Sequence, residues 1–224
     1  LSLADRHIRP EVIVVIGLGR FGTAVATQLQ DLGHEVMGIE SDPALVQAAS
    51  GELTYVVQAD ATDEAALRQL GVGDVRHAVV AIGDGTQSSI LATATLADIG
   101  IPDIWAKAQT VLHARILERV GAHHVVFPER DMGQRVAHRV TGQMLEFIQI
   151  DESFALVETT VPADLAGRTL LDAGIRESDG VTVVAVKSGD GSFTHPAPDT
   201  LLGPDDLLLV AGAVAAVGRF AARR

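Results

Sequence analysis

Residues Glu11–Gly22 read EVIVVIGLGRFG, and the rest of the chain is organised around this stretch. Val12–Ile16 are five apolar residues in a row, the pattern of a parallel strand buried on both faces. Gly17, Gly19 and Gly22 follow with G-x-G-x-x-G spacing. In a strand–turn–helix context the first glycine allows the sharp turn, the second lets a phosphate approach bare backbone, and the third lets the new helix pack closely on the strand. The free N–H groups of that helix point to where an anion would sit. The flanks complete the signature. Thr23–Leu32 has helical apolar spacing at Ala24, Val25, Leu29 and Leu32, Gly33 caps it, and a second strand over His34–Ile39 ends on Glu40. That acid lies 18 residues past Gly22, where a mononucleotide-binding βαβ unit carries its ribose-binding carboxylate.

Composition narrows the function classes. A chain of 224 residues, 47% hydrophobic and only 4% aromatic, builds its core from Val, Leu, Ile and Ala and holds one or two domains. It has no cysteine, which excludes disulfides, thiolate nucleophiles and Cys-ligated zinc and fits a reducing cytoplasm. A formal net charge of −12 argues against a nucleic-acid partner, which needs clustered Lys and Arg. The longest apolar stretch, Leu207–Val217, is too short to span a bilayer and is broken by glycine.

Strand and helix patterns alternate onward from Glu40. Helices are expected over Pro43–Ala49, Asp63–Leu70, Thr86–Ile99 and Val111–Val120, and strands over Thr54–Gln58, His77–Ile82, Asp103–Lys107 and His123–Phe127. This order implies an α/β fold, a doubly wound parallel sheet that binds ligands at the carboxyl ends of its strands. Asp131–Ile148 reads as one longer helix with Val136, Val140, Met144 and Phe147 along one stripe, either covering its own domain or crossing to a partner subunit. Of the adjacent His123 and His124, alternation sends one inward and the other outward. Beyond Asp151, strands over Phe154–Val161, Val181–Lys187 and Leu207–Ala211, a turn at Ser188–Gly191 and a helix over Ala213–Ala222 make a small α+β domain, with the boundary near Ile150.

Four side chains at these strand ends carry candidate chemistry. Arg20 lies between the second and third glycines, where its guanidinium either reaches terminal phosphate oxygens in bidentate fashion or faces solvent at a helix start. Glu40 offers two acceptors to a ribose and disfavours a 2′-phosphate, hence NADP. Asp60 either accepts from an adenine amino group or caps the helix that follows it. Lys107, at the end of the fifth strand, is either a cation for phosphates or an ordinary exposed lysine.

Five stretches, GLGRFG at Gly17–Gly22, QADATD at Gln58–Asp63, AIG at Ala81–Gly83, WAKAQ at Trp105–Gln109 and RVGAHHVVFPERDMG at Arg119–Gly133, closely resemble the KtrA/TrkA family of cytosolic RCK proteins, regulators of potassium conductance. The resemblance implies a Rossmann-like RCK_N domain over 11–149, including the crossover helix, and an RCK_C domain over 150–224. It further implies a non-catalytic gating subunit that forms homodimers, assembled into an octameric ring at the inner face of the membrane beneath a separate potassium-translocating subunit. ATP or ADP would bind at Gly17, Gly19, Arg20, Phe21, Gly22, Glu40, Asp60, Ala61, Ile82, Gly83 and Lys107. Glu129 would coordinate Mg²⁺ or another divalent cation at the phosphates. In some relatives the RCK_C module binds cyclic di-AMP between two subunits. Here Ile175–Val186 and Pro196–Pro198 fall in that region, with Asp179 and Thr182 standing where such relatives often carry Tyr and Asn; the other reading is a plain dimerisation module.

The dinucleotide fingerprint alone also allows an NAD-dependent oxidoreductase or an NAD(H) redox sensor. The chemistry for the former is thin. The sole tyrosine, Tyr55, has Ala59 four residues on, so the Tyr-x-x-x-Lys pair of short-chain dehydrogenases is absent, and His195 is the second domain's only plausible acid/base. A sensor acting on DNA is opposed by the acidic charge.

Overall fold

A computed structural model describes residues 11–140, 144–151 and 153–223. The chain forms two compact units, one ending at Glu129 and one beginning at Arg130.

The first unit is the expected parallel sheet. Its elements run β1 (Val12–Ile16), α1 (Arg20–Asp31), β2 (Glu35–Glu40), α2 (Pro43–Ala49), β3 (Tyr55–Gln58), α3 (Glu64–Gln69), β4 (His77–Val80), α4 (Thr86–Ile99), β5 (Asp103–Lys107), α5 (Val111–Arg119) and β6 (His124–Val126), and α6 (Pro128–Val140) begins at its end. The six strands lie in the order β3-β2-β1-β4-β5-β6, all pairs parallel. The order therefore reverses between β1 and β4, and the crevice at their carboxyl ends is the topological switch point where such sheets bind ligands. β1 is central and buried on both faces: Val14 and Ile16 pack with the core residues of α3, α4 and α5, and Val15 packs with Ala26 of α1 and Ala49 of α2.

The glycine loop locks this arrangement. Gly17 has φ +88°, and a Cβ there would stand 3.0 Å from the Ile82 backbone nitrogen. At Gly22 a Cβ would overlap the Gly17 carbonyl oxygen and stand 3.0 Å from Ala81 Cβ, whereas at Gly19 it would meet only open space.

The second unit holds β7 (Glu146–Gln149), β8 (Phe154–Thr160), α7 (Leu170–Ala173), α8 (Ile175–Asp179), β9 (Val181–Lys187), β10 (Leu207–Ala213) and α9 (Val214–Ala221). Its antiparallel sheet has the order β7-β8-β10-β9. Val157, Leu208 and Val210 from the sheet pack with Val217 and Phe220 of α9. The turn at Ser188–Gly191 is present, with Val186 and Thr194 exchanging backbone hydrogen bonds of 2.9 Å behind it.

Two expectations need correction. The single helix over Asp131–Ile148 is instead α6, ending at Val140, and the strand β7; residues 141–143 lie outside the described residues. Met144 is 5% exposed within the second core and Phe147 packs against that core, while Val136 and Val140 are exposed on α6. A three-to-four residue spacing runs across both elements, so periodicity alone could not separate them. The strand pairing does, since Phe147 stands opposite Val157 of β8. The second correction concerns the histidines: both His123 and His124 are exposed. β6 starts only at His124, so His123 precedes the pleat, where its Nδ1 accepts from the Ile104 N–H at 3.0 Å. His124 stacks on Trp105 with ring centroids 4.2 Å apart.

The loop geometry separates two substitutions of like chemistry. Gly22→Ala forces α1 off the Gly17 carbonyl and is expected to destabilise the protein by about 1–3 kcal/mol, the usual range for overpacking. Gly19→Ala, with φ −68° and open space for the methyl group, is expected to leave the ligand-free melting temperature close to wild type. Thermal unfolding of the two variants side by side checks this.

Candidate functional site

The site is assembled at the carboxyl ends of the parallel strands. The residue preceding α1, Gly19, brings no side-chain cap and no acid stands in the helix's first turn, so the helix start is open to an anion. Arg20 is its first residue and is exposed. Phe21 is half-buried behind it.

Glu40 ends β2 and is tied to the glycine loop. Its Oε2 accepts from the Leu18 N–H at 2.7 Å, while Oε1 accepts from the N–H groups of Ser41 at 2.7 Å and Asp42 at 3.0 Å. The carboxylate thus holds the loop's shape as well as standing where a ribose carboxylate belongs. The bond to the Leu18 amide spans 22 residues, and no local sequence pattern announces it.

Asp60 does not cap the next helix. Asp63 does, accepting from the N–H groups of Ala65 and Ala66 at 2.9 and 3.2 Å. Asp60 closes a turn instead, its Oδ1 accepting from the Thr62 N–H at 2.9 Å and hydroxyl at 2.8 Å. These bonds, the backbone one foremost, hold its carboxyl below the usual aspartate range. Ala61 is buried, 7% exposed, in the main core.

Beyond β4, Ile82 and Gly83 are half-buried, and the Gly83 carbonyl accepts from the Gln109 side chain. Gln109 was not foreseen as part of the site. Its position two residues past Lys107, within WAKAQ, was the available signal.

Lys107 is not an ordinary exposed lysine. It is 7% exposed, its ammonium donates to Glu129 Oε1 at 2.5 Å, and it lies 5.6 Å from the centre of the Phe21 ring. A Cβ at Gly83 would stand 3.6 Å from Lys107 Nζ. Glu129, in the first turn of α6, has its carboxyl held below the usual glutamate range, chiefly by the hydrogen bond from Lys107, with smaller contributions from the Lys107 and Arg20 charges. The fold therefore gathers Phe21, Gly83, Lys107 and Glu129 beside the glycine loop, while Glu40 and Asp60 follow the ends of β2 and β3. Among the described residues no group of three His, Asp or Glu is disposed to hold a metal ion.

In the second unit, Asp179 accepts from Arg223 Nη1 through both oxygens at 2.7 Å, and Thr182 Oγ1 accepts from Arg176 at 3.1 Å. The two residues that depart from the cyclic-dinucleotide pattern are thus engaged in contacts of their own unit.

A parallel sheet with a glycine loop at its switch point, followed by a small antiparallel unit, is the two-part build of the TrkA proteins. Residues 13–128 match the TrkA-N domain and residues 155–223 the TrkA-C domain, and the chain belongs to this family. More particularly, it is 39% identical over 210 residues to the Ktr system potassium uptake protein C of Bacillus subtilis (strain 168), covering 93% of this chain and 95% of that one. It is 33% identical over 215 residues to the Ktr system potassium uptake protein A of the same organism, covering 96% and 97%. Among solved structures, the GsuK channel bound to NAD superposes on the whole chain with a TM-score of 0.66 at 21% identity, and this chain spans 41% of its length. A GsuK structure bound to ADP matches 59% of this chain and 35% of its own, with a TM-score of 0.51 at 19% identity. At these identities the structural likeness concerns the fold.

Because Glu40 serves three backbone amides, Glu40→Ala is expected to lower stability with no nucleotide present, by about 1.5–3 kcal/mol for hydrogen bonds to a charged group. A carboxylate serving only a ribose would leave the ligand-free melting curve unchanged. Differential scanning calorimetry without ligand separates the two.

Proposed function

We infer that this chain is the nucleotide-responsive regulatory subunit of a potassium-uptake system, acting on a separate membrane subunit that carries the ion. The observation that carries the reading is an open, Gly-lined helix start at the switch point of a TrkA-N sheet, flanked by Arg20 and the buried ammonium of Lys107. In so acidic a protein these local cations suit a polyphosphate. ATP and ADP are the proposed ligands, with the loop Gly17–Gly22, Ile82 and Gly83 at the phosphates, Glu40 at the ribose, and Asp60 and the Ala61 backbone towards the base. NAD(H) is the further nucleotide of this class.

Glu129 suits a divalent cation in one respect that the fold itself displays: its carboxylate already seats a cation, the Lys107 ammonium at 2.5 Å. One carboxylate completed by phosphate oxygens and water is an ordinary Mg²⁺ environment. A cyclic di-AMP site in the second unit has weaker support, since Asp179 and Thr182 are already partnered.

The proposed role is gating, not catalysis. No helix among the described residues is long and apolar enough to cross a membrane, so the ion path belongs to the partner, at whose cytoplasmic face this chain would sit. Self-association is supported by α6, whose Met132, Val136 and Val140 repeat every four residues and are 53%, 50% and 80% exposed. A homodimer that buries this stripe is the proposed unit, and rings of such dimers, octamers in the first instance, the proposed assembly.

Two measurements test this. Light scattering at micromolar concentration is expected to show dimers or octamers, and Val136→Ser with Val140→Ser to shift the mass towards the monomer; a wild-type monomer with and without nucleotide refutes the assembly. Calorimetric titration of Arg20→Ala is expected to show ATP weakened by roughly ten- to a hundredfold, the worth of a charge-assisted hydrogen bond, with ADP changed less. An equal loss for both places Arg20 away from the terminal phosphate. Tighter binding of NADH than of ATP by the wild type favours the redox reading.

A further inference from the structure

Lys107 and Glu129 form an ion pair whose two ends live in different surroundings. The lysine side chain is 8% exposed and the glutamate side chain 69% exposed. Separating them is therefore unequal in cost. A released Glu129 turns into water, whereas Lys107 would be left as a buried, uncompensated charge, the expensive outcome for any desolvated ion. The Phe21 ring at 5.6 Å offsets only part of that cost. Lys107 therefore requires an anion at all times, and Glu129 is the anion that can be exchanged.

The position of the ammonium says what could take Glu129's place. Gly83, whose bare Cα leaves 3.6 Å between a built Cβ and Nζ, and Phe21, the residue following Arg20 at the start of α1, put the ammonium beside the helix start that awaits an anion. We propose that Glu129 is a placeholder for a nucleotide phosphate: in the ligand-free protein its carboxylate neutralises Lys107, and a phosphate oxygen displaces it on binding. This rests on the nucleotide reading above and adds to it a competition between two anions for one buried lysine. The exchange frees Glu129 at the moment the phosphates arrive. Nucleotide binding thereby makes the carboxylate available to a divalent cation that Lys107 otherwise excludes, and linkage makes the coupling reciprocal.

A double-mutant cycle read by calorimetric titration of ADP in EDTA tests the exchange without metal. Glu129 is largely exposed, so Glu129→Gln is expected to fold, and Lys107→Met keeps the buried stem without the charge; circular dichroism checks both. Glu129→Gln is expected to bind ADP about tenfold or more tightly than wild type, because a neutral amide competes for the ammonium less strongly than a carboxylate. Lys107→Met is expected to bind more weakly, and Glu129→Gln made in the Lys107→Met background to give no comparable gain. An unchanged or weakened affinity in Glu129→Gln overturns the exchange. So does a full gain in the Lys107→Met background, which would show only relief of general repulsion. Wild type that binds ADP while either of these results holds leaves the nucleotide reading standing; no binding of ADP, ATP or NADH by any of the four proteins overturns the nucleotide reading and the exchange with it.

Discussion

Among the glycines described, Gly22 leaves the least room for a side chain, because the start of α1 meets the carbonyl of Gly17. No side-chain atom fits at Gly22, so helix and loop meet backbone to backbone. That contact holds the start of α1 against the end of the most buried strand, and the loop's N–H and C=O groups are bonded accordingly. The Gly17 N–H donates to Ile39 at 2.8 Å, the Ala81 N–H to Ile16 at 2.7 Å, and Glu40 binds the Leu18 amide. β1, β2 and β4 are thereby stitched together just beyond their last ladder pairs. An anion site made of backbone needs this rigidity, because its donors must already point the right way before the ligand arrives.

Electrostatics then divides the site into parts of unlike permanence. Arg20 is exposed and Lys107 is buried. The exposed guanidinium costs little to leave unpaired, so it can serve an outlying phosphate that only some ligands carry. The buried ammonium cannot be left unpaired, and its need for a counter-ion is constant. A ligand shifts an equilibrium only by its differential affinity for the two states. In the proposed function the asymmetry between the two cations is one physical source of such a difference: Arg20 would answer to how many phosphates are present, Lys107 to whether any phosphate is.

How much of this was legible in the sequence depends on the range of the interaction. The parallel sheet was legible, because five buried residues before a glycine loop, and strands alternating with helices, are local patterns. α4 and β5 fall on their expected residues, Thr86–Ile99 and Asp103–Lys107. The helix expected over Asp131–Ile148 was misread because Val136, Val140, Met144 and Phe147 keep a helical spacing across two elements. Only the pairing of Phe147 with Val157, a contact between distant positions, reveals the strand. The same limit holds at the site. Arg20, Glu40 and Lys107 are site candidates by local position, at the start of α1 and at the ends of β2 and β5. The Lys107–Glu129 hydrogen bond spans 22 residues and the Gln109 bond to Gly83 spans 26, and no local pattern announces either.

α6 connects these observations to the proposed gating. Its first turn carries Glu129, the exchangeable partner of Lys107, and its later turns carry Arg135 and Arg139, both of which donate to Glu146 of β7. Glu146 is only partly exposed, and the two arginines hold its carboxyl below the usual glutamate range, Arg135 first. Glu129 in the first turn is therefore paired with Lys107, through the bond proposed above to yield to a phosphate, and Arg135 and Arg139 further along are both paired with Glu146. The same helix carries the exposed stripe of Met132, Val136 and Val140. A change of partner at Glu129 alters the charge at the helix's N-terminal turn, where the helix dipole favours an anion. It does so on the element whose apolar face is proposed to meet a second copy. The proposed anion exchange and the proposed subunit contact thus fall on the same thirteen-residue helix, and that shared element is what would let a local exchange of anions alter the assembly.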